Sequence, residues 1–286
     1  MKNSRRQFIQ LASAGAVALG ISGALPNQLL AARHQHAEDI LKIGVAAWSF
    51  VKFKLDTSLD MMSRVNIKYL SIKDFHLPQD STPEQIAAFF EKLKAKGITG
   101  YGVGPIYMKS EADVDRAFEY TKRVGVKLLV GVPEHELLGY VEKKVKEYDF
   151  YYAIHNHGLT DKRYPTVESV YERVKDLDTR IGLCHDIGYS IQMGFDPAAL
   201  TLKYGHRVYE MHIKDMVKGP TGEWLDCEIG RGAIDFTALV KALRKTKYQG
   251  VCSIENEMNN LDPLPSIAES AGYFKATAKM AGAVLL

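Results

Sequence analysis

Six polar clusters with catalytic potential end apolar runs in this sequence. They read Lys73-Asp74-Phe75-His76, Pro133-Glu134-His135-Glu136, His155-Asn156-His157-Gly158, His185-Asp186-Ile187-Gly188-Tyr189, His212-Ile213-Lys214-Asp215 and Glu255-Asn256-Glu257. Six of the nine histidines fall in them, a concentration that a random scatter over helix surfaces would not produce. Asp186, His212 and Glu255 close three successive runs. An aspartate, a neutral imidazole and a glutamate around one point form a borderline-hard site for one divalent ion, Mn2+, Co2+, Zn2+ or Mg2+. Without a cation two buried carboxylates repel, and one must hold a proton. A single histidine or glutamate at a strand end is ordinarily solvated or structural, so the convergence of three carries the metal reading.

Convergence needs a frame. Strand-like runs rich in β-branched and aromatic residues lie at 43–50, 69–72, 98–103, 127–132, 150–155, 180–185, 208–213 and 250–255. Between them apolar residues recur at helical spacing, as in Ile86, Phe89, Phe90 and Leu93, or Phe236, Leu239, Val240 and Leu243. Thr82-Pro83, Ser110, Asp196-Pro197 and Asp235 supply helix starts, and Gly97 and Gly125 supply stops. Strands apolar on both faces, each followed by a helix, imply parallel pairing with helices outside. Eight such units in about 250 residues predict an α/β fold, a single (β/α)8 TIM barrel over 42–286, whose site lies beyond the carboxyl ends of the strands. A doubly wound open sheet would place a glycine-rich loop after the first strand, where this chain has Ala47-Trp48-Ser49-Phe50.

On these strand endings the chain resembles the sugar phosphate isomerase/epimerase and AP endonuclease family 2, the xylose isomerase-like barrels. "CHDIGY", "MHIKD" and "SIENE" match positions where that family carries metal ligands, here Asp186, His212 and Glu255, and "IGRGAIDF" resembles its loop after the histidine strand. The resemblance implies a metal-bound carbonyl and hydroxyl, proton abstraction through an enediolate, and Arg231 on substrate oxygens. It places Lys214 and Asp215 beside the pocket. Two departures stand out: His155 replaces a glutamate ligand, and Tyr189 replaces a substrate-binding histidine. His155 can still ligate, with His157 as its competitor, because alternate residues of a strand face the same way. The expected metal set is therefore His155, Asp186, His212 and Glu255. Glu255, Glu257, His157, Lys214 and Arg231 are the catalytic candidates. Trp48, Lys73, His76, His185 and Tyr189 are the substrate-binding candidates.

The expected activity is isomerisation or epimerisation of a free sugar or keto-sugar. Loss of the strand-five glutamate removes one carboxylate base. A metal-dependent lyase or hydratase of 3-keto-glycosides, working by β-elimination with His157, His185 or His76 as acid, is the alternative. A non-catalytic sugar-binding barrel would keep aromatics such as Trp48, Tyr101, Tyr107, Tyr189 and Trp224 at its mouth and would need no ligands.

Residues 1–32 read as an export signal of the twin-arginine type: Ser4-Arg5-Arg6-Gln7-Phe8-Ile9, then a soft apolar stretch with alanine-rich cleavage points. That stretch is short of the roughly 20 residues a spanning helix needs. Its removal takes Lys2, Arg5 and Arg6 and no acid, so the formal charge of +3 falls to zero. A neutral chain gives no electrostatic case for nucleic acid. The expected partner is a small carbohydrate, with no membrane span in the mature chain and a periplasmic location. Phosphorylated sugars are largely cytoplasmic, so export favours an unphosphorylated substrate. Three cysteines, an odd number, argue against a disulfide framework. The last helix, "AESAGYFKATAKMAGAVL", could pack on the barrel or on a second copy in a homo-oligomer.

Overall fold

The structure is a computed structural model describing residues 40–258 and 261–286; the segment read as an export signal lies outside the described residues. Within them the strands are β1 (Ile40–Ala46), β2 (Tyr69–Ile72), β3 (Thr99–Met108), β4 (Leu128–Pro133), β5 (Tyr151–His155), β6 (Ile181–Asp186), β7 (Val208–Ile213), β8 (Asp215–Lys218), β9 (Trp224–Cys227), β10 (Val251–Ile254) and β11 (Val284–Leu285). β1 to β7 and β10 pair in parallel, and β1 pairs with both β2 and β10, so the eight strands close into a barrel. The fold is a single (β/α)8 TIM barrel. β6 shows why the pairing is parallel and covered on both faces: all six of its residues are buried.

The helices around the barrel are α1 (Leu55–Arg64), α2 (Pro83–Ala95), α3 (Glu111–Val124), α4 (Leu138–Tyr148), α5 (Val167–Val174), α6 (Ile187–Gln192), α7 (Pro197–Tyr204), α8 (Phe236–Lys245) and α9 (Leu264–Met280). α2 begins with a reciprocal capping box, Thr82 with Gln85, and Pro83 at its start. α3 begins on Ser110 and stops at Gly125, whose φ of 80° is left-handed. The stripe Phe236, Leu239, Val240 and Leu243 of α8 is buried, as its spacing predicts. Ile267, Ala271, Phe274 and Ala278 of α9 are also buried in the core, so this helix packs on its own barrel.

Three details differ from the sequence reading. The first strand stops at Ala46 and residues Ala47–Phe50 turn over the barrel top, where Ser49 Oγ accepts Asn256 N–H at 2.8 Å and donates to Ile254 O at 3.3 Å. β3 runs on past Val103 to Met108, through Gly104 at φ 122°. A Cβ at Gly104 would meet Val130 O at 2.2 Å, so only glycine lets the strand continue there. The chain after β7 folds into an antiparallel hairpin, β8–β9, which its mixed polarity had concealed. Among the described residues no helix is long and apolar enough to cross a membrane. Cys184, Cys227 and Cys252 are all unpaired.

Candidate metal centre and active site

Strand register brings the centre together. Asp186 ends β6 opposite His212 of β7, Ser253 of β10 lies opposite His212, and Glu255 follows two residues later. His155 ends β5, the other neighbour of β6. One donor atom each from His155, Asp186, His212 and Glu255 lie within 4.8 Å of one another, and all four residues are buried. His155 Nε2 faces His212 Nδ1 at 3.0 Å and Asp186 Oδ2 at 3.7 Å, and His212 Nδ1 lies 3.3 Å from Glu255 Oε2.

Local structure fixes each donor. Asp186 Oδ1 accepts Tyr189 N–H at 2.9 Å to cap α6, which turns Oδ2 toward the centre. Asn156 locks β5 to β6 twice: its Nδ2 donates to Asp186 O at 3.1 Å and its Oδ1 accepts Asp186 N–H at 2.9 Å. Lys214 Nζ reaches Asp186 Oδ2 at 3.1 Å, Glu255 Oε2 at 2.9 Å and Glu257 Oε2 at 2.7 Å, so an ammonium shares the two oxygens that face the histidines. Its stem passes over Gly188, where a Cβ would meet Lys214 Cγ at 2.4 Å.

The electrostatics fit a cation. Burial raises the Asp186 carboxyl, and nearby Glu255 adds to that against the pull of Lys214. Burial also opposes charge on Glu255, but Lys214 and His212 outweigh it and hold that carboxyl well below the usual range. Burial opposes charge on His212 as well, yet Cys184, Glu255 and Glu210 hold it well above an ordinary imidazole. His155 is pushed well down by burial and by His157 and His212. Two imidazole nitrogens and two carboxylate oxygens thus converge in a buried site, with Asp186 Oδ2 making no hydrogen bond among the described residues. This N2O2 donor set suits a borderline divalent metal.

A cavity of about 200 Å3 opens over the centre. His155, His157, Glu255 and Glu257 line it with Lys73, and Trp48, Tyr107 and Tyr189 supply aromatic walls. His157 Nε2 is 3.0 Å from Tyr107 Oη and its Nδ1 is 3.4 Å from Asp161 Oδ2. Burial lowers the pKa of His157 and of Lys73, whose Nζ donates to Pro105 O. A wider hollow of about 450 Å3 lies at the starts of the strands, among Tyr151, Tyr209 and Tyr248. It holds no convergent carboxylates, and we place no chemistry there.

Other candidates fall outside this cavity. Arg231 is held by Glu269 on the surface, Nε to Oε1 at 2.5 Å and Nη2 to Oε2 at 2.7 Å. His185 is wholly buried against Ser190 Oγ at 2.9 Å, because it precedes Asp186 and therefore points the opposite way. His76 bonds Phe53 O at 2.9 Å and faces a separate surface groove. Asp215 is buried and accepts the N–H groups of Met216, Gly230, Gly232 and Ile234, so it braces a loop rather than a pocket wall. Trp224 carries Lys218 over its ring at 3.9 Å, away from the cavity, and Tyr101 lies inside the barrel bonded to Glu210. Sequence reading quoted Asn156 without giving it a role and passed over Asp161 and Glu210. Period-two alternation in "VYEMHI" was the available signal for Glu210, since it shares the inward face with His212.

Comparison with known proteins agrees with this geometry. The profile of the family described as "Xylose isomerase-like TIM barrel" matches residues 73–277. The rhizopine catabolism protein MocC of Rhizobium meliloti is 30% identical over 139 residues, 43% of this chain and 42% of its own length, so the matched part is under half of that relative. Among solved structures, the IOLI protein with a bound zinc atom superposes with a TM-score of 0.71 at 19% identity, covering 85% of this chain and 100% of its own. The 3-keto-D-glucoside 4-epimerase YcjR of E. coli gives 0.66 at 16% identity, covering 82% and 99%. At those identities the structural likeness speaks for the fold alone, whereas the profile spans most of the sequence: this chain belongs to the xylose isomerase-like TIM barrel family.

Proposed function

We propose that this protein is a divalent-metal-dependent isomerase or epimerase of a free sugar or keto-sugar, exported to the periplasm. The observation that carries the reading is the buried four-residue donor set, two of whose members, His155 and Glu255, line a cavity together with the acid–base groups His157 and Glu257. A bound cation would supply Lewis acidity toward a carbonyl and its neighbouring hydroxyl. His155, Asp186, His212 and Glu255 would hold it. Glu257 lies outside the donor set and can take the proton beside the carbonyl, with Lys214 at 2.7 Å holding it in place. His157 follows the end of β5, three strands round the barrel from β10, where it can return a proton from another side. Trp48 and Tyr189 give apolar faces for a sugar ring, and the neutral charge of the chain without residues 1–32 gives no pull on phosphate.

A second reading, β-elimination or hydration of a 3-keto-glycoside, is favoured by one observation. The fifth strand presents His155 and then His157 in contact with Tyr107, a proton donor suited to a leaving oxygen. Deuterium oxide separates the two. Isomerisation or epimerisation leaves deuterium on the carbon beside the carbonyl of recovered sugar, while elimination releases the aglycone. Metal analysis of protein purified without chelator, beside Asp186→Asn and His212→Ala, tests the shared core. About one ion per chain lost in both variants supports it, and no ion in any sample after adding Mn2+, Co2+, Zn2+ and Mg2+ in turn rejects both readings.

A further inference from the structure

Behind His212, away from the cavity, the barrel holds a polar layer that the proposed chemistry leaves unused. Glu210 precedes His212 by two residues on β7, so both side chains point inward. Glu210 is wholly buried, and its Oε1 lies 3.4 Å from His212 Nε2. Tyr101 O–H donates to the same Glu210 oxygen and also contacts Ser253 Oγ. Neither His212 Nε2 nor Glu210 Oε2 has a hydrogen-bond partner among the described residues. A buried carboxyl group is costly unless its oxygens are hydrogen-bonded or paired, and Tyr101 leaves Oε2 without a partner.

His212 is what can use it. The opposite ring nitrogen, Nδ1, faces His155 Nε2 at 3.0 Å and Glu255 Oε2 at 3.3 Å. A neutral imidazole carries its hydrogen on one nitrogen and its lone pair on the other. With N–H at Nδ1, the ring would aim a hydrogen at the centre and could ligate nothing there. We infer that Glu210 is a positioning residue that accepts Nε2–H of His212 and so turns the Nδ1 lone pair toward the metal centre. Tyr101 holds the carboxyl group from the other side, and Ser253, opposite His212 in the sheet, steadies Tyr101. Losing an outer partner of a ligating histidine typically costs about 10–100-fold in metal affinity.

This inference rests on the metal reading above, and the test separates the two. Zinc affinity is measured by competition with a fluorescent chelator for wild type, Glu210→Met, Glu210→Gln and Cys184→Ala, with the thermal midpoint of each metal-free protein recorded alongside. Glu210→Met is expected to weaken zinc binding of the folded protein about 10–100-fold, and to lower the metal-free midpoint as well, because Tyr101 O–H and His212 lose their shared acceptor. Glu210→Gln keeps an oxygen acceptor and is expected to recover part of the affinity. A merely structural Glu210 would lower the midpoint and leave the zinc affinity of folded Glu210→Met within a few-fold of wild type, and that overturns the inference. Cys184, the other polar neighbour of His212, is expected to be dispensable; loss of affinity in Cys184→Ala but not in Glu210→Met also overturns it. Should Glu210→Met fail to fold, 15N-histidine spectra of zinc-loaded wild type decide: an Nε2–H tautomer at His212 supports the assignment and Nδ1–H sinks it. Wild type that binds none of Mn2+, Co2+, Zn2+ and Mg2+ defeats the metal reading itself, and where one of the other three binds in place of zinc the same variants are compared with that ion.

Discussion

His185 and Asp186 are adjacent in sequence and opposite in role, and the strand pleat decides which is which. Asp186 points into the barrel with its Oδ2 at the centre, and His185 points out beneath α6 onto Ser190 Oγ. Burial pushes the His185 imidazole down to about 3, so it stays neutral in the folded chain at every ordinary pH. The sign of the consequence follows from linkage. The unfolded chain binds a proton at this residue below pH ~6.5 and the folded chain does not. Its contribution is therefore full above pH 6.5 and is lost as pH falls toward 3. Between pH 7 and pH 5 wild type should lose about 2 kcal/mol more stability than His185→Gln. Urea denaturation of both metal-free proteins at the two pH values checks this. Parallel losses would mean that His185 is hydrated or already protonated in the folded state. The proposed ligand positions could be marked in the sequence because they end buried strands. Which of two adjacent polar residues faces inward was not, until the strand ends were placed to within one residue.

At the scale of elements the alternation of strand and helix was readable throughout, since each period-four stripe has one barrel face to cover. What escaped was the chain beyond β7, where β8 and β9 fold over the rim with half-exposed residues and no periodic signal. Asp215 organises that excursion. Its Oδ2 accepts Gly230 and Gly232 N–H, each at 2.9 Å, and its Oδ1 accepts Met216 N–H at 2.9 Å and Ile234 N–H at 3.2 Å. A Cβ at Gly232 would press on that Oδ1 at 2.3 Å, so the loop closes tightly around the carboxylate. "IGRGAIDF" therefore acts as a brace, and Arg231 is carried outward by it to Glu269. Asp215→Ala would leave these amide donors without their acceptor, a loss of about 3 kcal/mol. Urea midpoints should show it, with zinc affinity of the folded fraction within a few-fold of wild type. A large loss of metal with little loss of stability would instead give Asp215 a part in holding the ion.

The four proposed ligands come from β5, β6, β7 and the residue after β10, four consecutive staves in the barrel order β10-β7-β6-β5. β10 also closes the barrel on β1, from Lys42 opposite Val251 to Val45 opposite Ile254. A cation held there would tie together strands spread over about 100 residues, including the closing one. Its binding energy would then appear in the stability of the whole barrel, because an unfolded chain offers no comparable site. Without the ion, Lys214, which touches both carboxylates, and His212 beside Glu255 are the groups that keep Asp186 and Glu255 together. Zinc at 100 times its dissociation constant should add about 2.7 kcal/mol. For a barrel of this size that is a rise of about 5–10 °C in the thermal midpoint. Chelator should reverse the rise in wild type. Asp186→Asn, which lacks one donor and one buried charge, should fold and show almost no rise. An equal rise in both proteins would mean that the ion binds elsewhere. A rise in wild type alone, in a single unfolding transition, would place the ion across the staves that close the barrel.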